Sequence, residues 1–253
     1  MKLLKIIIAI LPLTLMFLSF HCRCPFFHAK DPYLNPTNEY IKARTDLGRI
    51  QELIDKGEDM NELDRRTGLA PLHAIVDAIN GNFVTEDELL NYSEGERETK
   101  RVDMIDKYYK VAKLLLDNGA DVNVKNSHGA TVLHYCSDIK CIEFFLKYGA
   151  DVNIGSPLYN AACGADSDLV KFYIANGADV NARDSKGRSP LFCCRDREKA
   201  EFLIKNGADV NVRDINGETS LFGYNNDDSA IELMIKNGAD VHAKNTKGET
   251  ALF

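Results

Sequence analysis

The chain reads as an all-α solenoid of stacked helix-turn-helix units, and three regularities predict that class. The stretch Asn118-Gly119-Ala120-Asp121-Val122-Asn123 returns at 148 to 153, 176 to 181, 206 to 211 and 237 to 242, with Tyr148 and His242 as the substituted positions. Its glycines stand 30, 28, 30 and 31 residues apart, and self-similarity at a period of roughly 20 to 50 residues marks a stacked repeat array. An apolar triplet precedes each glycine: Leu114-Leu115-Leu116, Phe144-Phe145-Leu146, Phe172-Tyr173-Ile174, Phe202-Leu203-Ile204 and Leu233-Met234-Ile235. Such a triplet ends a helix with a buried stripe, and a glycine, free to enter the left-handed region, stops it. Twelve residues beyond Gly119, Gly177, Gly207 and Gly238 stand Thr131, Ser189, Thr219 and Thr250, hydroxyl residues of the kind that cap a helix N-terminus.

In chain order the elements repeat one plan of turn, short inner helix, reversal, outer helix and glycine stop. Unit 1, from Tyr40 to Asp59, carries Leu53-Ile54 and a degenerate tail, Lys56-Gly57-Glu58-Asp59-Met60-Asn61, that suits an N-terminal cap. Unit 2 opens at Ala70 and stops at Gly119. Unit 3 runs from Thr131 to Gly149, unit 4 from Ser156 to Gly177, unit 5 from Ser189 to Gly207 and unit 6 from Thr219 to Gly238. Pro190 follows Ser189 at the first helical position, where its missing N–H costs nothing. Leu133, Leu158, Leu191, Leu221 and Leu252 recur two residues after the opening position and are expected in the core.

Thr131-Val132-Leu133-His134, Ser189-Pro190-Leu191-Phe192 and Ala70-Pro71-Leu72-His73, with the Gly-Ala-Asp-Val-Asn tails, resemble ankyrin repeats over residues 40–253. The resemblance implies about six units plus a C-terminal half unit. It also implies hairpin fingers that form, with the inner helices, a concave surface gripping other proteins. Family positions that usually contact partners fall on Ser127, His128 and Ala130, on Ser185, Lys186 and Arg188, on Ile215, Asn216 and Glu218, and on Thr246, Lys247 and Glu249. Ile215 is the apolar residue among these tips. The resemblance names no partner.

Departures from the plan carry their own expectations. Units 3 and 5 are three residues shorter between opening residue and glycine than unit 4, which predicts stubby helices. In unit 4 Ser156 follows Gly149 by seven positions where the siblings' opening residues follow by twelve, so its finger should be missing and the row of fingers notched. Unit 2 is 28 residues longer than unit 4, the excess lying near 80–101; a long loop there is either a tolerated mobile segment or a second docking element. Lys247 to Phe253 opens a further inner helix and stops, which leaves three readings: a minimal cap, a truncated frame, or an end that stacks on another chain.

Ahead of the array, Lys2 and Lys5 precede an apolar run from Ile6 to Phe20. This is the pattern of a secretory signal, and it is short for a bilayer span. Residues 1–22 are therefore expected to be a signal peptide or signal anchor and 23–39 a linker. Export to the cell envelope or medium follows, and the leader, composition and short repeats point to a bacterial chain. Phe20 and His21 before Cys22 argue against lipidation, and an uncleaved anchor or lipoprotein stays an alternative. His21, Cys22, Cys24 and His28 could form a zinc tetrad, but the spacing and the lack of a surrounding core argue for a processed tail and no metal. The other cysteines do not read as a disulfide framework: Cys136 and Cys194 occupy matching buried slots two repeats apart, beyond disulfide reach, and read as core thiols, while neighbouring-repeat pairs such as Cys136 with Cys163 stay open and the odd count of seven leaves at least one thiol free.

Catalytic chemistry finds no support. His73 and His134 fill the capping motif, and no phosphate-cradling loop or nucleophile elbow occurs. No cofactor is expected. A net charge of -7 disfavours nucleic acid, and Lys125, Arg183, Arg188, Arg213 and Lys244 alternate with acids as a solvated face. The reading is an exported, non-catalytic module that binds a partner protein. A secreted effector acting on a host protein and a self-associating envelope scaffold are its alternatives.

Overall fold

The computed structural model describes residues 38–43, 46–80, 92–164, 166–194, 196–224 and 228–251. The leader, the His21-Cys22-Cys24-His28 cluster and the terminal Leu252-Phe253 lie outside them.

Helices pair unit by unit. Unit 1 holds α1 (Glu39–Lys42) and α2 (Leu47–Asp55), unit 2 α3 (Pro71–Ile79) and α4 (Glu94–Asp117), and unit 3 a 3-10 turn (Val132–His134) and α5 (Ile139–Leu146). Unit 4 holds α6 (Pro157–Cys163) and α7 (Ser167–Ala175), unit 5 α8 (Pro190–Cys193) and α9 (Arg197–Lys205), and unit 6 a 3-10 turn (Ser220–Gly223) and α10 (Asp228–Lys236). The β pairing among the described residues is a single antiparallel bridge, Lys244 with Thr250. One continuous apolar core runs from Ala43 to Met234. The middle residues of the apolar triplets, Leu115, Phe145, Tyr173, Leu203 and Met234, are buried, as are Leu133, Leu158, Leu191 and Leu221. Each tail glycine adopts a left-handed φ, as Gly119 does at 95°.

The shortened units have the expected stubby inner helices, and unit 6 shares them: a turn or four residues where α6 has seven. The reason is chain length, since the reversal must be made with fewer residues. The capping differs from expectation. The hydroxyls of Ser189 and Thr219 are buried without a hydrogen-bond partner among the described residues. Imidazoles act at the openings of units 2 and 3: His73 Nδ1 accepts the Ala70 N–H at 3.3 Å and His134 Nδ1 accepts the Thr131 N–H at 3.0 Å. Outer helices are capped by aspartates that the sequence reading passed over. Asp46, Asp138, Asp166 and Asp196 accept backbone N–H groups from Arg49, Cys141, Asp168 and Glu198.

The long excess of unit 2 is not loop throughout. From Glu94 it belongs to α4, a helix of 24 residues that is about 36 Å long at 1.5 Å per residue. Ser93 and Glu96 start it, with the Glu96 carboxylate accepting the Ser93 N–H at 2.9 Å and its hydroxyl at 2.6 Å. Residues 81–91 lie outside the described residues.

Of the two expected core thiols, Cys194 is one and Cys136 is not. Cys163 and Cys193 form a disulfide between units 4 and 5, with Cα atoms 4.8 Å apart, and Cys136 pairs with Cys141 inside unit 3 at 5.5 Å. Stacking brings the ends of consecutive inner helices together, so the neighbouring-repeat pairing left open by the sequence occurs, but between Cys163 and Cys193 and not between Cys136 and Cys163. Cys194 remains a buried free thiol.

Candidate protein-binding face

Each finger is organised by one side chain. Asn126, Asp184, Asp214 and Asn245 use Oδ1 to accept the backbone N–H groups two and four residues on, at 2.8–3.0 Å. This turn, mimicked by a short polar side chain, lifts the two intervening residues to the tip. Neighbouring tips then bond through backbone: Ser127 N–H to Gly68 O at 3.0 Å, Ile215 N–H to Lys186 O at 2.9 Å and Thr246 N–H to Asn216 O at 2.8 Å.

Unit 4 contributes no finger. Instead Gly155 and Ser156, with φ of 75° and 64°, turn the chain straight into α6. The glycine is demanded by space as well, since a Cβ there would lie 2.8 Å from the His134 ring. The row therefore divides into a two-finger group (units 2 and 3) and a three-finger group (units 5, 6 and the half unit), with the expected notch between them.

On the tail edge the stack is continuous. Asn123, Asn153, Asn181 and Asn211 each donate Nδ2–H to the glycine carbonyl of the next tail, at 2.9–3.2 Å. Each also accepts, on Oδ1, the N–H of the next aspartate at 2.8 Å. The aspartates accept the N–H two residues on, holding the turn. Tail Asp and Asn are thus structural. Arg183 and Arg213 are spent similarly on the carbonyls of Arg213 and Lys244.

Of the expected contact positions, Ser127, His128, Ser185, Lys186, Asn216, Thr246, Lys247 and Glu249 are exposed, and Ile215 is 67% exposed. Arg188 and Glu218 are half-buried. Arg188 is held by Asp184 Oδ2 at 2.6 Å and stacks over the Tyr159 ring, so its guanidinium is already committed. Ala130 is a correction: it is fully buried, its carbonyl accepts from His73 Nε2 at 2.9 Å and its N–H is bound by Asn126. It lies beneath the finger and offers a partner no surface.

The buried imidazoles fasten one unit to the next. His134 Nε2 donates to Gly155 O at 3.0 Å, as His73 does to Ala130. Since each Nδ1 accepts, each Nε2 carries the proton and the ring is neutral. Burial pushes the His73 pKa down to about 4 and lowers that of His134. Among the described residues no group of three or more His, Cys, Asp and Glu could hold a metal ion, and no helix is long and apolar enough to cross a membrane.

Comparison with known proteins decides the family. Models of ankyrin repeats match residues 104–146, 140–214 and 158–245. This chain belongs to the ankyrin-repeat family. An ankyrin repeat protein of variola virus is 33% identical over 114 residues, 42% of this chain and 19% of that protein. One from fowlpox virus is 28% identical over 169 residues, 62% of this chain and 35% of that protein. The ankyrin chain thus aligns with about a fifth to a third of the length of these relatives. In solved structures, the ankyrin repeat domain of Bcl-3 superposes with a TM-score of 0.59 at 19% identity, covering 85% of this chain and 92% of that one. The two sequence relatives are viral, and the bacterial source expected from composition gains no support from them. Ankyrin repeats are in general protein-protein interaction modules and typically non-catalytic.

Proposed function

We propose that this ankyrin array binds one partner protein through the tips of its three-finger group, with Ile215 as the central anchor. The observation that carries this is a continuous, backbone-bonded ridge whose outward side chains, Ser185, Lys186, Ile215, Asn216, Thr246 and Lys247, are exposed around one large apolar residue. A preorganised tip loses little conformational freedom on binding, and an exposed isoleucine ringed by polar groups is the composition of an interface centre. The two-finger group adds Ser127 and His128 across the notch.

Affinity capture compared across variants tests it. A specific partner should be recovered by the wild-type chain and by Glu201→Gln on α9, and reduced at least about tenfold, or 1.4 kcal/mol, by Ile215→Asp. Equal recovery by all three would sink the finger-tip reading. We further propose that the chain is exported, on the strength of its basic-then-apolar leader. Fractionation with intact-mass measurement should find a cleaved or anchored form in the envelope or medium, and a full-length cytosolic chain would refute export.

A further inference from the structure

The two ladders that hold the stack diverge at unit 4. Along the tails every neighbouring pair is stapled by an asparagine, whereas the tip ladder stops at the Asn126 finger and resumes at the Asp184 finger. The junction of units 4 and 5 thus lacks the tip bond that closes the junction of units 5 and 6. In a quasi-one-dimensional stack, stability is a sum of units and neighbour interfaces, so the deficit falls on the two junctions of unit 4; units 3 and 4 are bridged by His134 Nε2 to Gly155 O and by Tyr173 OH to Leu133 O, which leaves the junction of units 4 and 5.

Other contacts stand in its place. Cys193 of α8 is bonded to Cys163 at the end of α6, Lys199 Nζ of α9 donates to Gly164 O, and Arg188 lies 5.0 Å over the Tyr159 ring. We infer that the Cys163–Cys193 disulfide is a redox-controlled clamp that replaces the absent finger, holding the two finger groups as one rigid row when oxidised and letting them part when reduced. Cys163 is half-buried, so a reductant has access to it, while Cys136 and Cys141 are both buried and their bond stays within unit 3. Cys194, buried beside the clamp with its thiol pushed up to about 11 by desolvation, stays protonated and out of exchange.

The switch is ordinary thiol exchange. One thiolate of an external dithiol attacks Cys163 Sγ, the Cys163–Cys193 bond breaks, and Cys193 leaves as a thiolate that takes a proton. The second thiol of the reagent then displaces Cys163, and the reagent departs as a disulfide. Oxidised glutathione reverses the change, with two molecules of glutathione released for each clamp formed.

The clamp spans 30 residues of sequence, a loop whose closure should raise the apparent Tm by about 10 °C. The full chain, oxidised with glutathione disulfide, is digested without reductant and mapped by mass spectrometry, and its Tm and amide exchange are compared before and after dithiothreitol. We expect joined Cys163 and Cys193 peptides, and a fall of about that size on reduction. Exchange should quicken at α6 and α8 more than at α3. A Cys163→Ala/Cys193→Ala variant should behave as the reduced chain and ignore the reductant. Replacing its Ile154-Gly155 with a copy of residues 182 to 188, which restores a finger, should recover the Tm. Unjoined peptides, a Tm indifferent to reductant, or a double variant that keeps the full response would each overturn the clamp. If the variant does not fold, the wild-type titration with dithiothreitol still decides, because the fall in Tm must track loss of the joined Cys163 and Cys193 peptides and not loss of the joined Cys136 and Cys141 peptide.

Discussion

Ser156 is the one non-glycine with a left-handed backbone among the described residues, and its hydroxyl is buried without a partner. Both features follow from the missing finger, since Gly155 and Ser156 must reverse the chain immediately before Pro157. Ser156→Gly removes the left-handed penalty and the orphaned hydroxyl, and should stabilise the protein by about 1 kcal/mol. A lower urea midpoint for the variant would contradict this account. The imidazoles give the second residue-scale prediction. His73 and His134 have folded-state values below the unfolded 6.5, so below that pH the unfolded chain binds more protons than the folded one. Stability is full above pH 6.5 and drains as pH falls toward 4, by about 3 kcal/mol for His73 alone. Chemical denaturation at stepped pH should show that slope, and His73→Gln should flatten it. The local role of these rings was legible from their place in the capping motif; their reach into the next unit, 57 residues away for His73, was not, because it depends on stacking.

At the scale of elements, boundaries set by glycine stops were readable, whereas those set by carboxylates were missed. The Ser93-to-Glu96 spacing is the capping-box signature, yet the segment reads as loop because its charges hide any apolar stripe. Glu94, Glu96 and Glu98 also favour a helix start through the macrodipole. Ser93→Ala with Glu96→Ala should fray the exposed N-terminal turns of α4 and weaken the helical circular-dichroism signal. The cost, about 1 kcal/mol, is local, so the thermal midpoint should hardly move, because the buried half from Tyr108 to Leu115 is packed in the core. A large drop in the midpoint would show that the N-terminal half carries tertiary contacts. Inner helices were shortened as the unit lengths required, but their 3-10 form in units 3 and 6 has no sequence sign, since the equally short Pro190–Cys193 of unit 5 is an α-helix.

Over the whole molecule, the repeat period exposed the architecture and the finger positions, because both are local in sequence. The burial of Ala130, the disulfide between units 4 and 5 and the asparagine staples are relations between units, and a single repeat contains no sign of them. The staples make a prediction at this scale. Asn153→Ala removes its two bonds, to Gly177 O and from the Asp179 N–H, between segments that share no tip bond, and should cost about 2 kcal/mol. It should also broaden the urea transition more than Asn211→Ala, whose junction keeps the Thr246-to-Asn216 tip bond; equal broadening would refute the inequality of the junctions. Each staple touches only the backbone of its neighbour, a glycine carbonyl and an aspartate N–H, and so does not distinguish one unit from another. The units are therefore interchangeable parts on a common coupling. Excising residues 154 to 181 would join Asn153 directly to Ala182 and bring it against Gly207 and Asp209. The shortened protein would present an unbroken row in which the finger of Asp184 follows the finger of Asn126.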